Sequence, residues 1–282
     1  MSAKVIFAGR KLLIATKHGK ERQIAPVLEK ELGVKPFVIP DLDTDVLGTF
    51  TGEIERKDDP LTTLRKKCRM GYEASGCDLV VASEGTFTTH PVSGFIPFHF
   101  ELLMLCDFSN GLEVTVQETT TDTNISKEEI KNWEQLQNFA ARTGFPRHAL
   151  ILRLPDDNRH LYKGITDTET LSKCYIALRA MREVVVAETD MRAMHNPKRM
   201  QVIARAAKEL VKKIKSECPV CQWPGYGVTD ARKGLPCAQC GAPTRTTFSY
   251  ILRCARCSHS EEKLYPQGKT TEDPMYCDLC NP

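Results

Sequence analysis

Stretches of apolar residues along the chain predict strands and helices in alternation. Residues 11–16 (K-L-L-I-A-T) form a short apolar run that predicts a strand. Residues 19–32 place apolar side chains at helical spacing, and residues 34–39 predict a second strand. The chain therefore opens with a strand–helix–strand unit.

The same alternation continues to residue 215. The pattern predicts a strand pair around an Asn110-Gly111 turn, and a capping box at Ser126 and Glu129 that starts a helix over 126–143. We expect residues 41–60 and 84–97 to be loops. The other predicted strands are 78–83, 100–106, 112–118, 148–154 and 183–189, and the other helices are 61–74, 171–181 and 196–215. This order predicts an α/β domain over residues 1–215, with a mixed or mostly parallel sheet flanked by helices.

Residues 216–282 differ in composition and predict a second domain. Eight of the 12 cysteines lie here, in four C-x-x-C units among Gly and Pro residues, with one strand predicted over 246–253. Two such units complete a tetrahedral site of four thiolates, so eight ligands predict two structural zinc ions in a zinc-ribbon-like fold. Sequential, interleaved and nested pairing all remain open. A redox C-x-x-C would need a βαβ context, which this segment lacks. The predicted ligands are Cys218, Cys221, Cys237, Cys240, Cys254, Cys257, Cys277 and Cys280.

Cysteine usage and charge indicate the cellular compartment and make some classes of ligand less favourable. Paired cysteines without a disulfide-scaffold pattern indicate a reducing compartment, and we expect a cytoplasmic protein. The apolar runs are too short to predict a membrane span. The net charge is +3, and residues 218–282 contain seven Lys and Arg against six Asp and Glu. Nucleic-acid binding therefore lacks its usual electrostatic footprint.

A basic segment at residues 15–21 (A-T-K-H-G-K-E) lies between the first strand and helix. Amide groups at a helix N-terminus favour an anion. We predict that Thr16, Lys17, His18 and Lys20 bind phosphate or substrate. The alternative is an ordinary basic helix start.

Two acidic segments follow, at residues 43–53 (D-T-D-V-L-G-T-F-T-G-E) and 83–91 (S-E-G-T-F-T-T-H-P). We expect Glu84 to end a buried strand, where α/β sheets bind ligands. Asp43, Asp45 and Glu84 are candidate magnesium ligands, although turn chemistry alone would explain both aspartates. Gly85 would let a substrate approach, and His90 would bind it.

Residues 188–200 (E-T-D-M-R-A-M-H-N-P-K-R-M) form a further polar segment, of mixed charge, at a strand-to-helix junction. His195 could act as an acid or base near neutral pH. The alternatives are that Asn196 caps the helix and that Arg192 pairs with Glu188. We predict that Glu84, His195 and Asp190 are catalytic and that the substrate is bound by Arg192, Asn196 and Arg199.

These segments together, with C-P-V-C and G-L-P-C-A-Q-C-G, resemble an uncharacterised bacterial family, a domain of unknown function. The first third of the chain is also distantly similar to the inosine/xanthosine triphosphate pyrophosphatase superfamily, through Ala15, Thr16, Lys20 and Glu84-Gly85. This second resemblance implies a magnesium-dependent hydrolase of a nucleotide-like phosphate.

We therefore predict a metal-dependent phosphohydrolase acting on a nucleotide-like phosphate, provided that the segments 15–21, 83–91 and 188–200 meet in one cleft. The alternative is a non-catalytic nucleotide-binding sensor or adaptor whose zinc domain contacts a protein partner. A third possibility is a nucleic-acid-binding zinc protein, in which aromatic residues of the C-terminal domain such as Trp223 and Tyr250 would stack bases.

Overall fold

The computed structural model describes residues 6–49, 54–90, 93–157 and 159–282. It divides into two compact units, one comprising Gly9–Leu210 and the other containing Val211–Pro282. The division falls inside the last helix. The domain boundary that we predict at residue 215 stays a prediction. Within the described ranges, every helix is too short or too polar to cross a lipid bilayer.

The strands and helices alternate in the larger unit, and the smaller unit contains a separate set of strands. The strands are β1 Lys11–Ala15, β2 Lys35–Phe37, β3 Leu79–Thr89, β4 Pro97–Asp107, β5 Leu112–Thr120, β6 Lys127–Ile130, β7 Leu150–Arg153, β8 Leu161–Ile165, β9 Val185–Thr189, β10 Gly227–Lys233, β11 Thr247–Arg253 and β12 Ser260–Leu264. The helices are α1 Glu21–Leu32, α2 Pro60–Ser75, α3 Trp133–Thr143, α4 Thr168–Arg179 and α5 Pro197–Lys215, and short 3-10 turns lie at Thr44–Leu47, Ala193–His195 and Pro274–Tyr276.

The first sheet has the order β2-β1-β3-β4-β5. Strand β1 pairs in parallel with β2 and β3, whereas β3–β4 and β4–β5 are antiparallel. Helix α2 packs on one face of this sheet through Leu64 and Cys68. The structure thus confirms an α/β fold with a mixed sheet flanked by helices.

Strand β3 extends beyond the end of β1. Its last residue paired with β1 is Ala82, opposite Ala15, but it pairs with β4 as far as Thr89. Our prediction of a loop over 84–97 is therefore wrong for residues 84–89. Because Thr86 to Thr89 are good strand formers and pair with β4, the sheet continues where we expected it to end. Glu84 consequently lies within a strand, at the point where its neighbour β1 has stopped.

The second sheet has the order β6-β9-β7-β8 and its pairs are antiparallel. It forms a core with helices α3 and α4. The predicted helix over 126–143 is wrong at its start, because residues Lys127–Ile130 pair with β9 instead. The helix begins at Trp133, and its cap is Asn132, whose side chain accepts a hydrogen bond from the Gln135 amide at 2.9 Å. Strand pairing has overridden the local capping signal.

The unit that contains Val211–Pro282 has a three-stranded antiparallel sheet in the order β10-β11-β12. Only β11 was predicted. Strands β10 and β12 are exposed along almost their whole length. Such strands carry no alternation of apolar and polar residues, so the hydrophobic pattern could not have found them.

Candidate anion site and cysteine clusters

The turn that follows β1 directs Lys20 into the protein interior. The Lys20 side chain is buried, and its ammonium donates a hydrogen bond to Ser83 Oγ at 2.8 Å. The same ammonium lies 3.1 Å from Glu101 Oε1. Burial lowers the pKa of Lys20 to about 8, although the Glu101 carboxylate opposes the shift. A cation of the basic segment 15–21 thus contacts the acidic segment 83–91 through Ser83.

Glu101 is the centre of a buried ionic cluster that our sequence analysis did not identify. It lies on β4 and is fully buried. Arg199 Nε contacts Glu101 Oε2 at 3.1 Å, and His99 Nε2 lies 3.2 Å from the same oxygen. Burial alone would raise the pKa of Glu101, but Arg199 and Lys20 hold it well below the usual range. The signal in the sequence that could have identified this cluster is the placement of His99 and Glu101 on one face of a largely apolar strand.

Gly85 lies opposite Glu101 in the β3–β4 register. A Cβ atom at this position would collide with the Glu101 carboxylate and with the Arg199 guanidinium. The missing side chain therefore makes room for the buried ion pair. We had expected it to admit a substrate.

Glu84 points to the opposite face of β3 and pairs with two cations that we did not predict. Lys67 Nζ contacts one of its oxygens, and Arg56 Nη2 lies 3.1 Å from the other. Arg56 also donates to the Gly85 carbonyl at 3.1 Å. Burial alone would raise the pKa of Glu84, but Lys67, Lys20 and Arg56 lower it, so the group is ionised at neutral pH.

The predicted aspartates are also ion-paired. Lys17 Nζ lies 2.9 Å from Asp43 Oδ1 and 3.3 Å from Asp45 Oδ2. His18 Nε2 lies 3.4 Å from Asp45, and this hydrogen bond is the main reason that the pKa of Asp45 falls to about 2. The basic and acidic segments therefore contact each other.

These contacts enclose a small cavity, which we call the basic cavity. It is lined by four Lys and Arg residues, against the two carboxylates Asp45 and Glu84. Two of these cations also pair with carboxylates outside the lining, Lys17 with Asp43 and Lys20 with Glu101, so the cavity is a cluster of ion pairs whose cations could contact an anion. The lining residues are Ala15, Thr16, Lys17, His18, Lys20, Thr44, Asp45, Gly48, Arg56, Lys67, Ser83 and Glu84.

The mixed-charge segment 188–200 reaches the buried ionic cluster through Arg199, but its side chains do not line the basic cavity. Asn196 Oδ1 accepts a hydrogen bond from the Arg199 amide at 3.0 Å, so it caps α5. Arg199 is buried against Glu101 and does not line the basic cavity. Arg192 pairs with Asp190 at 2.6 Å, and the alternative partner Glu188 pairs instead with Arg153 at 2.7 Å.

Two predicted histidines also lie outside the basic cavity. His195 adjoins Gly164 and Arg192, and burial lowers its pKa. The neighbouring Met194 Cβ would lie 3.6 Å from a Cβ atom at Gly19, so this segment does approach the β1 turn. His90 follows the end of β3, where its ring packs edge-on against Phe98. Of the predicted site residues, the basic cavity gathers Thr16, Lys17, His18, Lys20, Asp45 and Glu84.

A larger cleft lies next to the basic cavity and has a volume of about 430 Å³. Arg56 lines both spaces. The cleft extends from the end of β3 to the strands β6, β7 and β9 of the second sheet. Its other lining residues are Thr49, Thr86, Phe87, Ile125, Ser126, Lys127, Ile151, Arg153, Glu188, Thr189, Asp190 and Met191.

The magnesium prediction receives no support from the geometry. In the described ranges, the groups of residues that could hold a metal ion are formed by cysteines alone. Asp43, Asp45 and Glu84 do not form such a group, and each of them pairs with a cation of the protein. Residues 50–53 of the acidic segment lie outside the described residues.

The eight C-terminal cysteines form two tetrads with interleaved pairing. The first and third C-x-x-C units combine, as do the second and fourth. Sulfur atoms of paired units lie 3.6–3.8 Å apart, close to the edge of about 3.8 Å for a tetrahedron with Zn–S bonds of about 2.3 Å. Each tetrad could therefore hold an ion such as zinc. The tetrads are Cys218, Cys221, Cys254 and Cys257, and Cys237, Cys240, Cys277 and Cys280.

The fold and these clusters define an α/β protein with a C-terminal unit suited to binding metal. The chain belongs to the family described as Domain of unknown function (DUF6671), which matches residues 67–282. The match starts at Lys67 in α2, so it includes Glu84, Glu101 and all eight cysteines of the tetrads. No curated protein sequence matches the chain.

Proposed function

We propose that the α/β unit binds a phosphorylated small molecule, with its phosphate in the basic cavity. The observation that supports this proposal is the convergence of Lys17, Lys20, Arg56 and Lys67 on one small cavity. Carboxylates compensate most of this charge, because Asp43 and Glu101 pair with Lys17 and Lys20 from outside the lining, in addition to Asp45 and Glu84. A phosphate would form charge-assisted hydrogen bonds with these cations and take the place of part of these contacts.

The residues of the basic cavity divide between its rim and its wall. Lys17 is exposed enough to reach an arriving anion, whereas Lys20 and Lys67 are buried and supply charge from behind. The Thr16 side chain lies on the same turn and could donate its hydroxyl. A buried cation interacts more strongly with a bound anion than an exposed one, because water screens it less.

Hydrolysis of a nucleotide-like phosphate is the second candidate, because two carboxylates line the basic cavity. Magnesium could arrive with the phosphate, since this ion is commonly held by one or two carboxylates together with substrate oxygens. Glu84 would then have to exchange its contacts with Lys67 and Arg56 for the metal. His195 would act only if the ligand extended toward Gly164.

The experiment is a thermal-shift titration with inorganic phosphate and with adenosine mono- and triphosphate, with and without magnesium. Binding raises the melting temperature, and above Kd the shift grows with the logarithm of the ligand concentration. We expect stabilisation by phosphate without magnesium, and its loss in the variant Lys17→Met/Arg56→Met. The matched control is Lys173→Met, which removes an exposed lysine of α4.

Phosphate release in the same samples separates the two candidates. Release that requires magnesium and is lost in Glu84→Gln would establish hydrolysis. Stabilisation without release would establish a binding protein. If no phosphorylated compound shifts the melting temperature, the proposal is wrong.

We further propose that both cysteine tetrads bind zinc and that the metal is structural. Four thiolates complete the tetrahedral coordination of zinc and leave no position for a substrate. Contact between this unit and a protein partner stays a prediction.

A further inference from the structure

The cleft beside the basic cavity continues the same strand face. Glu84 and Thr86 are two residues apart on β3, so their side chains project to the same side, roughly 7 Å from each other along the strand. Glu84 lines the basic cavity, Thr86 lines the cleft, and Arg56 lines both. The two spaces are therefore adjacent. The basic cavity has a volume of about 20 Å³, little more than a water molecule needs, so a ligand phosphate would have to displace some of the side chains that line it.

Charges in the cleft are compensated within the protein. Glu188 pairs with Arg153 at 2.7 Å and with Lys127 at 3.2 Å. Asp190 accepts hydrogen bonds from Arg192 and from the Gly164 amide. Because these charges are paired, the cleft favours an uncharged part of a ligand.

Four hydroxyl groups line the cleft, beside five charged side chains. The hydroxyl groups belong to Thr49, Thr86, Ser126 and Thr189. The Thr86 hydroxyl is buried and has no hydrogen-bond partner in the described part of the chain. A buried hydroxyl without a partner costs free energy, which a ligand hydroxyl would recover after a small rotation of the side chain.

The cleft offers little for stacking a planar base. Among the described residues that line it, Phe87 is the one aromatic side chain, and its ring already stacks on His99 with 4.2 Å between centroids. The volume of about 430 Å³ lies within the range of small-molecule sites. A compact, hydroxyl-rich body suits this lining better than a flat heterocycle.

We infer that the cleft binds the uncharged polyol body of a sugar phosphate whose phosphate occupies the basic cavity. The inference rests on the proposed phosphate site and specifies the class of its ligand. It predicts that ribose 5-phosphate binds at least about tenfold more tightly than inorganic phosphate, because the cleft adds contacts that phosphate alone cannot make.

Calorimetric titrations of the full chain with inorganic phosphate, ribose 5-phosphate and adenosine monophosphate test this inference. The variant Ile125→Trp fills the cleft from an exposed position, so folding should tolerate it. We expect it to abolish the preference for ribose 5-phosphate and to leave the affinity for inorganic phosphate unchanged. The control Ile176→Trp adds the same bulk at an exposed site on α4 and should change neither affinity.

A second variant, Thr86→Val, removes one hydroxyl at nearly constant shape. We expect a loss of about fivefold or more for ribose 5-phosphate and none for inorganic phosphate. Thr88→Val is the control, because Thr88 is exposed on the same strand and does not line the cleft.

The possible failures are distinct. If inorganic phosphate does not bind, the proposed function itself is wrong. If phosphate binds but ribose 5-phosphate binds no more tightly, or Ile125→Trp leaves the preference intact, the inference is wrong. A strong preference for adenosine monophosphate over ribose 5-phosphate that Ile125→Trp removes would also overturn it, because a base would then occupy the cleft.

Discussion

The cysteine tetrads and the basic cavity are both clusters of polar side chains, but they are assembled differently. Each tetrad consists of two C-x-x-C units, whose cysteines are three residues apart in the chain. The basic cavity takes its side chains from four separate parts of the chain, which are the β1 turn, the segment before α2, α2 itself and β3. Local spacing marks the first kind of site in the sequence, whereas the second depends on the fold.

The two clusters also differ in what stabilises them. A tetrad without metal brings four sulfur atoms together, and the apolar cluster around the first tetrad is small, with Trp223, Tyr226 and Leu252. The ionic cluster around Glu101 is enclosed by the α/β unit, and its two cations, Lys20 and Arg199, share the one carboxylate. We therefore expect the folding of the tetrads to require a bound metal ion. The ionic cluster should be stable only while both the cations and the carboxylate of Glu101 are present.

Metal removal should have the largest effect. Structural zinc contributes about 10–16 kcal/mol to small domains, so a strong chelator should unfold the unit that contains Val211–Pro282. The α/β unit has its own cores and should stay folded. Circular dichroism together with the zinc content of the protein checks this, and retention of the β10–β12 sheet without metal would contradict it.

Zinc stoichiometry of double variants tests the interleaved pairing. Cys221→Ser/Cys254→Ser alters one tetrad and should leave one zinc per chain, whereas Cys221→Ser/Cys240→Ser alters both and should leave none. Sequential pairing would exchange these two results. The control Cys174→Ser, a buried cysteine of α4, should keep two zinc ions.

Breaking the buried ion pair should have the next largest effect. Glu101→Gln leaves Lys20 and Arg199 buried without their carboxylate, which costs about 3–5 kcal/mol in comparable sites. Glu118→Gln is the control, because it breaks an ion pair with the exposed Arg205 and should cost at most about 1 kcal/mol. Urea denaturation measures the free energy of unfolding of both variants. Equal losses would contradict the prediction, because the buried ion pair would then contribute no more stability than the exposed one.

The sequence predicted more of the fold than of the site. The mixed α/β sheet, the hairpin around Asn110-Gly111 and the helix from Pro197 to Lys215 follow from periodicity and turn chemistry. The extension of β3 and the strand Lys127–Ile130 were missed. In both places, pairing with a distant strand decides the conformation, and a local pattern does not show that pairing.

In the basic cavity too, local sequence patterns identified some of the lining residues and missed others. Thr16, Lys20 and Glu84 were identified because they lie at chain turns or beside glycine, where local signals exist. Arg56 and Lys67 carry no such signal, since a cation in a loop or helix is usually solvated.

The Gly85→Ala substitution should have a smaller effect than loss of Glu101. The added methyl group would collide with Arg199 and Glu101, and such overpacking typically costs about 1–3 kcal/mol. A double-mutant cycle with Arg199→Ala isolates this cause, because the cost of Gly85→Ala should shrink once the guanidinium is gone. Strict additivity of the two free-energy changes would show that the methyl group is accommodated elsewhere.

The pH dependence of phosphate binding should give the smallest effect. The Lys20 ammonium loses its charge as pH rises through about 8, because burial lowers its pKa. A bound anion favours the charged form, so affinity for a phosphate monoester should fall between about pH 7 and 9.5, where the monoester stays a dianion. Lys20→Met should bind more weakly and lose this part of the pH dependence.

The stability of the ligand-free protein should change with the opposite sign. Between about pH 8 and the unfolded pKa of 10.5, the unfolded chain holds the Lys20 proton that the folded chain has lost. The contribution of Lys20 to the free energy of unfolding therefore rises with pH over this range. Subtracting the pH profile of Lys20→Met from that of the wild type isolates both effects. If affinity and stability moved in the same direction, Lys20 would not be the group that couples the buried cluster to the basic cavity.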